Sequence, residues 1–503
     1  MRFTPYIVSG LLMSTCLFSG CADSFLEVDS KNEETIESYF TTDEHVQEAV
    51  VAAYDPLHWP DFSMGQYNPV NLMSDIMGDD LWVGGANRTD NQYWHLMMNY
   101  EALPTNCMTG LWTIAYSGVK RANDVLTYIG WAGKNITPDR ARYYEVQARL
   151  LRDFYYNWLW KFWGNIPYFD TNLKTPYLAK QYTADEVYGF VIADIEELIS
   201  MDVLPMKETP ERYGRVTQAM AYMLYAEMVM YQQDKTRYPQ ALRYMQEIIQ
   251  CGDYGLADSY AGIFEESGEW SAESIYEVNY KDDNATRSWG NPTGAGGTVL
   301  PRLISPQGWA DGTAGRDNGW GFAPVRTETY QHFDGRDLRR DVSCWHAAAD
   351  GDYKPRYQDT GYFLGKYVAR NGGNADHKAD ADLNYNNNFR IYRYAEALLN
   401  AAELVLRGAG NGDAAGYLNQ VRARAGLDPV EATLDNVIEE RRLEFVGEGK
   451  RYWDLVRTGK ASSVLVPDAY GYRTNSWSAQ KKYLPIPQSE IDAAQGTLKQ
   501  NPY

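Results

Sequence analysis

The stretch TPDRARYYEVQARLLRDFYYNWLWKFWGNIP at residues 137–167 carries the clearest helical signal in the chain. Its apolar side chains recur every three or four residues, which places them on one face of a helix. These side chains are Tyr144, Ala148, Leu151, Tyr155, Leu159 and Phe162. Thr137 and Pro138 are residue types that begin helices, and Gly164 with Pro167 ends this one. The stretch therefore predicts one long amphipathic helix.

Further helical segments lie on both sides of this stretch. The sequence TADE at 183–186 is a capping box, in which a threonine and a glutamate satisfy the free N–H groups at a helix start. Apolar stripes with helical spacing return at 395–406, 414–425 and 434–445. Paired helices joined by short turns predict a mostly α-helical fold, with a tetratricopeptide-like scaffold of helix hairpins.

Two long segments break the helical pattern. Residues 284–324 contain nine glycines and three tryptophans, and residues 56–100 contain three more tryptophans among Gly, Asn and Asp. Long irregular segments in a compact protein are usually functional. We therefore expect these loops to form a ligand face that the helical scaffold supports.

The composition excludes several classes of protein. Of the 503 residues, 44% are apolar and 23% are charged, which excludes a disordered chain. No apolar run reaches the roughly 18 to 20 residues that span a bilayer, so a polytopic membrane protein is excluded too. The net charge of −20 repels nucleic acid and favours a neutral ligand. Arg336, Arg339 and Arg340 are the candidates for a local basic exception.

Residues 1–20 are predicted to be a lipoprotein signal peptide. Arg2 precedes a weakly apolar stretch at 6–18, which is too short for a transmembrane helix, and small residues come directly before Cys21. Cys21 would become the first residue of the mature chain and carry acyl chains, whose burial stabilises membrane attachment by about 0.8 kcal/mol per methylene. An ordinary cleaved signal with an incidental Cys21 is the alternative.

Tryptophans in the two irregular segments are the main candidates for ligand contacts. Pyranose rings have apolar C–H faces edged with hydroxyls, so a sugar site needs exposed aromatic rings with polar groups at its rim. The candidate glycan-binding residues are Trp82, Asp80, Asn87 and Arg88 in the first segment, and Trp289, Trp309, Trp320 and Asn318 in the second. For any single tryptophan, a buried place beneath the loop is the alternative.

Other charged motifs favour structure over catalysis. The run ERRLE at 440–444 has the residue types of acid/base machinery, but guanidinium–carboxylate pairs of this kind commonly fasten elements together. The six histidines show no zinc-binding spacing, so we assign no metal ligands. Asp380 and Asp382 resemble the start of a calcium loop that lacks the glycine and glutamate of an EF-hand, which leaves open only a looser structural calcium site.

Ordered blocks along the chain resemble one known family. The blocks in the first half are SFLE at 24–27, YFTTDE at 39–44, QARLLR at 147–152 and WGNIP at 163–167. The blocks in the second half are YRYAEALLNAAE at 392–403, LNQVRARA at 418–425, ERRLE at 440–444, GKRYWDLVR at 449–457 and LPIP at 484–487. This order is similar to that of the SusD/RagB family of outer-membrane lipoproteins, which capture nutrients, chiefly glycans.

The resemblance implies a fold, a location and a partner. It implies a single mostly α-helical, SusD-like unit over residues 21–503, with an N-terminal region at about 22–215 and a C-terminal region at about 265–503. It also implies a lipid-anchored protein of the outer membrane, exposed at the cell surface. A TonB-dependent transporter of the SusC type would be the partner, over which the lipoprotein acts as a lid.

The predicted function is capture of an oligosaccharide or polysaccharide and its delivery to that transporter, without catalysis. One alternative is a glycoside hydrolase, in which two loop carboxylates flank the scissile bond. Another is a mainly structural transporter lid or a peptide-binding protein. We expect no cofactor and no nucleic-acid partner, and contact with the membrane through the lipid anchor only.

Overall fold

The computed structural model describes residues 35–310 and 315–503. The predicted signal peptide and Cys21 lie outside the described residues. The helices of the first half are α1 (Ile36–Tyr39), α2 (Asp43–Tyr54), α3 (Val70–Asp75), α4 (Gln92–Met98), α5 (Thr109–Ala132), α6 (Pro138–Trp163), α7 (Ala184–Ser200), α8 (Gln218–Gln232) and α9 (Tyr238–Gln250). Those of the second half are α10 (Leu300–Ile304), α11 (Thr327–His332), α12 (Arg340–Ser343), α13 (Ala347–Asp350), α14 (Tyr394–Leu406), α15 (Ala414–Arg424), α16 (Leu434–Glu444), α17 (Arg451–Arg457), α18 (Ala461–Val464) and α19 (Gln488–Ala493).

Helix α6 confirms the prediction from residues 137–167. Its N-cap is Thr137, whose hydroxyl accepts a hydrogen bond from the N–H of Arg140, and a proline occupies its first turn. Gly164 ends the helix with a φ of +65°, which favours glycine because no Cβ clashes there. A Cβ at that position would also meet the ring of Tyr483 at 2.6 Å. All six residues of the predicted apolar face are buried, so α6 lies in the core.

The larger helices pack on one another in chain order. Helix α2 packs on α5, and contacts then run from α5 to α6, α7, α8 and α9 in turn. Helix α9 packs on α14, which contacts α15 and α16. Helix α7 begins as predicted, since Thr183 and Glu186 form both hydrogen bonds of the capping box. With about 47% of the chain helical, the mostly α-helical prediction is confirmed.

Short strands fasten the irregular regions to this scaffold. The strands are β1 (Ile166–Pro167), β2 (Gln181–Tyr182), β3 (Ser274–Val278), β4 (Trp345–His346), β5 (Tyr362–Phe363) and β6 (Phe389–Arg393). They pair antiparallel as β1 with β2, β3 with β6, and β4 with β5. Because β6 leads directly into α14, its pairing with β3 fixes the chain just before residues 284–324 against the scaffold. Across the described ranges, no helix has both the length and the apolar character needed to cross a bilayer.

A buried network of ion pairs joins the C-terminal helices. The carboxylate of Glu444, at the end of α16, accepts hydrogen bonds from three arginines of other elements. The distances are 2.9 Å to Arg393, 2.6 Å to Arg424 and 3.0 Å to Arg339. All four side chains are nearly inaccessible to solvent. The contacts agree with a structural role for the run at 440–444.

The carboxyl group of Asp75, at the end of α3, is buried and only half satisfied. One of its oxygens accepts a hydrogen bond from the N–H of Gly449 at 2.9 Å, and the other has no partner among the described residues. Burial raises the pKa of Asp75 to about 8, and the nearby Asp80 and Glu448 carboxylates also raise it. The group is therefore mostly protonated at neutral pH.

We expect Asp75→Asn to change how stability depends on pH. The folded chain keeps a proton up to a pH of about 8, whereas the unfolded chain loses it near the ordinary pKa of 3.8. The free energy of unfolding of the natural protein therefore falls as the pH rises between these values, and the variant should lack this fall. Since one pKa unit corresponds to about 1.4 kcal/mol, the difference should reach a few kcal/mol near pH 8.

Urea unfolding of both proteins across this pH range measures the effect. Asp258→Asn is the control, because it removes a carboxylate that is exposed to solvent. Identical pH slopes for the natural protein and Asp75→Asn would contradict the prediction.

Candidate functional site

The two irregular segments pair with each other through their backbones. Leu81 forms an antiparallel bridge with Val325, and Gly84 forms one with Phe322. Gly84 has a φ of +75°, and a Cβ there would meet the carbonyl oxygen of Gly321 at 2.4 Å. Only glycine allows this close approach. The segments that we expected to share a ligand face therefore lie side by side.

Four aromatic rings from these segments lie together at the surface. The ring centroids of Trp289 and Trp320 are 6.1 Å apart, and their planes differ by only 27°. Phe62 lies 5.0 Å from the Trp289 ring, and Tyr67 lies 5.9 Å from the Trp320 ring. The exposed fraction of Trp289 is 41%, and the other three residues are partly exposed. We call these four residues the tryptophan platform.

A buried ion pair holds the platform in place from below. The guanidinium of Arg287 donates to the two carboxylate oxygens of Asp61 at 2.6 and 2.8 Å, and to the carbonyl of Phe62 at 2.7 Å. Asp61 also accepts from the Thr298 hydroxyl and the Val299 N–H, both at 2.8 Å. Burial alone would lower the pKa of Arg287, but the Asp61 carboxylate raises it, so the guanidinium stays charged. Its hydrogen bonds tie Asp61 and Phe62 to the loop that carries Trp289.

The backbone around Trp320 is fixed by the end of α10. The N–H of Trp320 donates to the carbonyl of Arg302, and that of Gly321 donates to the carbonyl of Ser305, both at 2.8 Å. Gly319 comes so close to the helix that a Cβ would meet the backbone oxygen of Ser305 at 2.4 Å. These contacts set the position of the indole before any ligand arrives.

The platform offers polar groups that are free to bind a ligand. Within the described part of the chain, the indole N–H groups of Trp289 and Trp320 and the hydroxyl of Tyr67 have no hydrogen-bond partner. Burial, together with the carboxylates of Asp90 and Asp382, raises the pKa of Tyr67 to about 12. Its hydroxyl is therefore a neutral donor at physiological pH.

Two ion pairs near Tyr67 form a rim around these rings. The side chain of Arg302 lies 2.8 Å from Asp382, and that of Arg356 lies 3.3 Å from Asp90. Arg356 also donates to the side-chain oxygen of Gln307 at 2.5 Å. Because each cation is paired with a carboxylate, the rim presents polar groups with little net charge. This combination of apolar rings and a paired polar rim suits a neutral ligand rich in hydroxyls.

Three predicted ligand residues lie in the interior, so these predictions are wrong. The exposed fraction is 1% for Trp82, 6% for Trp309 and zero for Asp80. The guanidinium of Arg326 covers the Trp82 ring at 3.6 Å, and Trp309 belongs to a small separate core. Asp80 pairs with Arg442 at 2.8 Å, which places it in the charged contacts of α16.

The remaining predicted residues lie at or near the surface. Trp289 and Trp320 are brought together, as described above. The Asn318 side chain accepts a hydrogen bond from the N–H of Gly308 at 2.6 Å, so it shapes the loop before Trp320. Asn87 and Arg88 are exposed on the loop at 86–89, outside the tryptophan platform. The ligand contacts of these five residues stay predictions.

The three arginines named as candidates for a local basic exception each have an acidic partner. Arg339 is fully buried in the ion-pair network at the end of α16. Arg336 pairs with Asp334 at 3.3 Å, and Arg340 pairs with Asp341 at 2.9 Å. These three residues therefore provide no unpaired positive charge for an anionic glycan.

The carboxylates of the suggested calcium loop also have partners within the protein. Asp380 accepts a hydrogen bond from the N–H of Trp289 at 2.9 Å, and Asp382 pairs with Arg302. In the ranges that the structure describes, no group of three or more His, Cys, Asp or Glu side chains is placed to hold a metal ion.

Sequence reasoning missed half of the platform and most of its rim. Phe62 and Tyr67 lie inside the segment at 56–100, where tryptophan was the only aromatic residue type taken as a candidate, although Phe and Tyr rings can also stack on sugars. Arg356 and Asp90 had no such signal, because nothing in the sequence pattern links them to each other or to Trp320.

Family models match both halves of the chain. The model of the SusD family matches residues 338–503, and a model described as "Starch-binding associating with outer membrane" matches residues 24–230. The solved structure of surface glycan-binding protein A from Bacteroides thetaiotaomicron, in complex with laminarihexaose, is 63% identical to this chain. That match covers 92% of this chain and 100% of the other, with a TM-score of 0.89. The chain belongs to the SusD family.

Two further solved structures share the fold of this chain, and one further relative matches it in sequence. Surface glycan-binding protein A from Bacteroides uniformis is 52% identical, covers 92% of this chain and 100% of its own, and has a TM-score of 0.84. A structure named "Laminarin binding SusD-like protein" is 28% identical over 92% of this chain and 99% of its own, with a TM-score of 0.82. The starch-binding protein SusD of Bacteroides thetaiotaomicron is 24% identical over 69% of this chain and 70% of its own. The SusD-like fold predicted from the sequence is confirmed.

We expect Trp82→Ala and Trp289→Ala to differ strongly in their effect on stability. Trp82 is buried, so its truncation should lower the free energy of unfolding by about 3–5 kcal/mol through lost packing and a cavity. Trp289 is 41% exposed, so the same change there should cost no more than about 1 kcal/mol. Chemical unfolding of the two variants and the natural protein measures both values. Equal losses in the two variants would contradict the assignment of Trp82 to the core.

Proposed function

We propose that this protein captures neutral glucans of the laminarin type on the tryptophan platform and delivers them, uncleaved, to a SusC-like TonB-dependent transporter. The observation that carries the proposal is the surface pair of nearly parallel indoles, Trp289 and Trp320, with free N–H groups. The pair belongs to a chain that is 63% identical to a surface glycan-binding protein solved with laminarihexaose.

The chemistry of the platform matches that of a glucose chain. The C–H face of each pyranose ring lies on an indole, and apolar contact of this kind stabilises binding without any charge. The Tyr67 hydroxyl and the groups at the rim then donate to and accept from the sugar hydroxyls, which sets the orientation of the chain. A shallow site of this type binds with modest affinity, because the ligand loses freedom on binding and polar groups stay partly hydrated. Modest affinity allows release to the transporter.

Acyl chains on Cys21 would hold the protein on the outer membrane with its glycan-binding face exposed to the medium. The family model described as associating with the outer membrane supports this location. Lipid attachment also keeps the captured glycan close to the transporter, so release leads to uptake rather than to loss by diffusion.

We expect Trp320→Ala and Trp289→Ala to weaken binding of laminarihexaose by about tenfold each, which corresponds to about 1.4 kcal/mol. The reason is that each variant removes one of the two surfaces on which sugar rings stack. Isothermal titration calorimetry with the soluble chain lacking residues 1–21 measures the affinities.

Trp131→Ala is the matched control for these variants. Trp131 is a tryptophan of similar exposure, 38%, that lies on α5 outside the platform. Its loss should leave the affinity unchanged. Maltohexaose, a glucose hexasaccharide with a different linkage, tests the choice of glucan. If both platform variants bind laminarihexaose as the natural protein does, the site assignment fails, and if maltohexaose binds more tightly, the assignment to laminarin fails.

A glycoside hydrolase is the main alternative, and the contacts of the nearby carboxylates argue against it. Asp90 and Asp382 pair with arginines, and Asp380 accepts a backbone N–H. Asp317 accepts from the hydroxyl of Tyr385 at 2.7 Å. Hydrolysis requires one carboxyl group to donate a proton while a second acts as base or nucleophile. The oxygens of these carboxylates are already engaged by guanidinium, hydroxyl or backbone N–H groups, so no two of them form a free pair that could flank a glycosidic bond.

We therefore expect no cleavage of laminarihexaose by the purified protein. The ligand is incubated with micromolar protein overnight, and the products are separated by anion-exchange chromatography. Heat-inactivated protein is the control for non-enzymatic hydrolysis, and a mock preparation purified identically from cells without the gene is the control for contaminating enzymes. Shorter sugars that appear only with active protein, and disappear in an Asp382→Asn or Asp90→Asn variant, would favour the hydrolase.

A further inference from the structure

A second group of aromatic rings reaches the surface above the buried Trp82. The ring centroids of Tyr470 and Tyr472 are 5.7 Å apart, and their planes differ by 18°. Tyr357 continues the row, with its centroid 5.6 Å from that of Tyr472. The exposed fraction of Tyr470 is 55%, and the other two tyrosines are partly exposed. We call Tyr357, Tyr470 and Tyr472 the tyrosine row.

The buried Trp82 supports the tyrosine row from below. Its ring meets Tyr472 edge to face at 5.1 Å and Tyr470 at 6.0 Å. Trp82 therefore positions the tyrosines instead of contacting a ligand itself. This contact explains why an indole that sequence analysis expected at the surface lies just beneath it.

The loop that carries two of these tyrosines is held rigidly. The carboxylate of Asp468 accepts hydrogen bonds from the N–H groups of Tyr470 at 2.7 Å and Tyr472 at 3.2 Å. The hydroxyl of Tyr470 donates to Glu328 at 2.9 Å. Rings fixed in this way lose little further freedom when a ligand binds, which favours recognition. The hydroxyls of Tyr357 and Tyr472 have no hydrogen-bond partner among the described residues.

The tyrosine row is connected to the tryptophan platform through adjacent residues. Tyr357 follows Arg356, which belongs to the rim of the platform through its ion pair with Asp90. The side chain of Arg356 lies against Gly321, next to Trp320, since a Cβ at Gly321 would meet it at 3.0 Å. The exposed loop at 86–89 also contributes to the connection, because the N–H of Tyr357 donates to the carbonyl of Gly85 at 3.0 Å, immediately before that loop.

We propose that the tyrosine row is a second glycan-binding subsite, which holds a distant part of the same neutral polysaccharide whose nearer part lies on the tryptophan platform. The proposal rests on the proposed function. Two aromatic surfaces linked by a polar rim suit a chain of many identical sugar units. The second contact raises the affinity for long chains, because it becomes intramolecular once the first has formed.

The test compares ligands of two lengths on one double variant. Tyr470→Ala with Tyr472→Ala should weaken binding of laminarin polysaccharide by about three- to tenfold and change the affinity for laminaritriose by less than about twofold. Laminaritriose is the short probe because it can occupy the tryptophan platform alone. Trp320→Ala should weaken binding of both ligands. Affinities are measured by calorimetry for the polysaccharide and by ligand-observed NMR for the trisaccharide.

Two controls separate the loss of a subsite from a general defect. Tyr472→Phe keeps the ring and should retain most of the affinity for laminarin. Tyr177→Ala removes a tyrosine that is 68% exposed elsewhere on the chain and should have no effect. The thermal unfolding midpoints of all variants show whether the loop and core stay folded. If the alanine double variant unfolds, Tyr470→Ala alone replaces it with the same two ligands, because this ring is 55% exposed and its loss disturbs the core least.

Each remaining outcome overturns the proposal in a recognisable way. If a folded double variant binds laminarin as the natural protein does, the tyrosines serve another purpose, such as contact with the transporter. If both ligands lose affinity equally, the row supports the tryptophan platform and is not a separate subsite. If the natural protein binds neither ligand, the proposed function and this proposal fail together. If only Trp320→Ala loses affinity, this proposal fails and the proposed function stays intact.

Discussion

The buried carboxylate of Glu444 is the point on which the arrangement of the C-terminal half depends. Burial alone would raise the pKa of Glu444, but three guanidinium groups from β6, α15 and the loop before α12 lower it. Four elements that are distant in sequence thus meet at one charge. Removing one partner from such a group leaves an uncompensated buried charge, which typically costs about 3–5 kcal/mol. The four elements therefore cannot shift independently of one another. The network acts as a rigid junction between the helices and the loops.

The same helix transmits this rigidity to the surface. Arg442 on α16 pairs with Asp80, which directly precedes the residues that bridge to Phe322 and Val325. That backbone pairing aligns the chain next to Trp320. On the other side of the platform, the ion pair between Arg287 and Asp61 fixes the loop that carries Trp289. The aromatic rings are consequently set in place by charges beneath them, and little conformational entropy remains to be lost when a ligand binds.

The sequence could predict those parts of the structure that are determined by residues close together in the chain. The caps and the apolar face of α6 lie within 31 residues of each other, and all of them were predicted correctly. The direction of a loop side chain, in contrast, is determined by contacts with residues that are distant in the sequence. Trp82 and Trp289 stand in similar sequence surroundings, yet Arg326 and Tyr472 cover the first while the second remains exposed. Phe62 joins the platform through a contact between Asp61 and Arg287, which are 226 residues apart. No spacing rule relates positions so distant.

Charge pairing explains why a chain with a net charge of −20 can present a surface suited to an uncharged ligand. The acids near the rings do not act as free anions, because Asp90 and Asp382 are each held by an arginine. The same pairing removes positive charge that would attract an anionic polymer. What remains at the tryptophan platform is a set of flat apolar rings with neutral donors, including the Tyr67 hydroxyl, whose raised pKa keeps it protonated. Under the proposed function, selection among neutral glycans depends on the shape of the glycan chain, since a row of fixed rings fits only those linkages that present successive sugar faces in the matching direction.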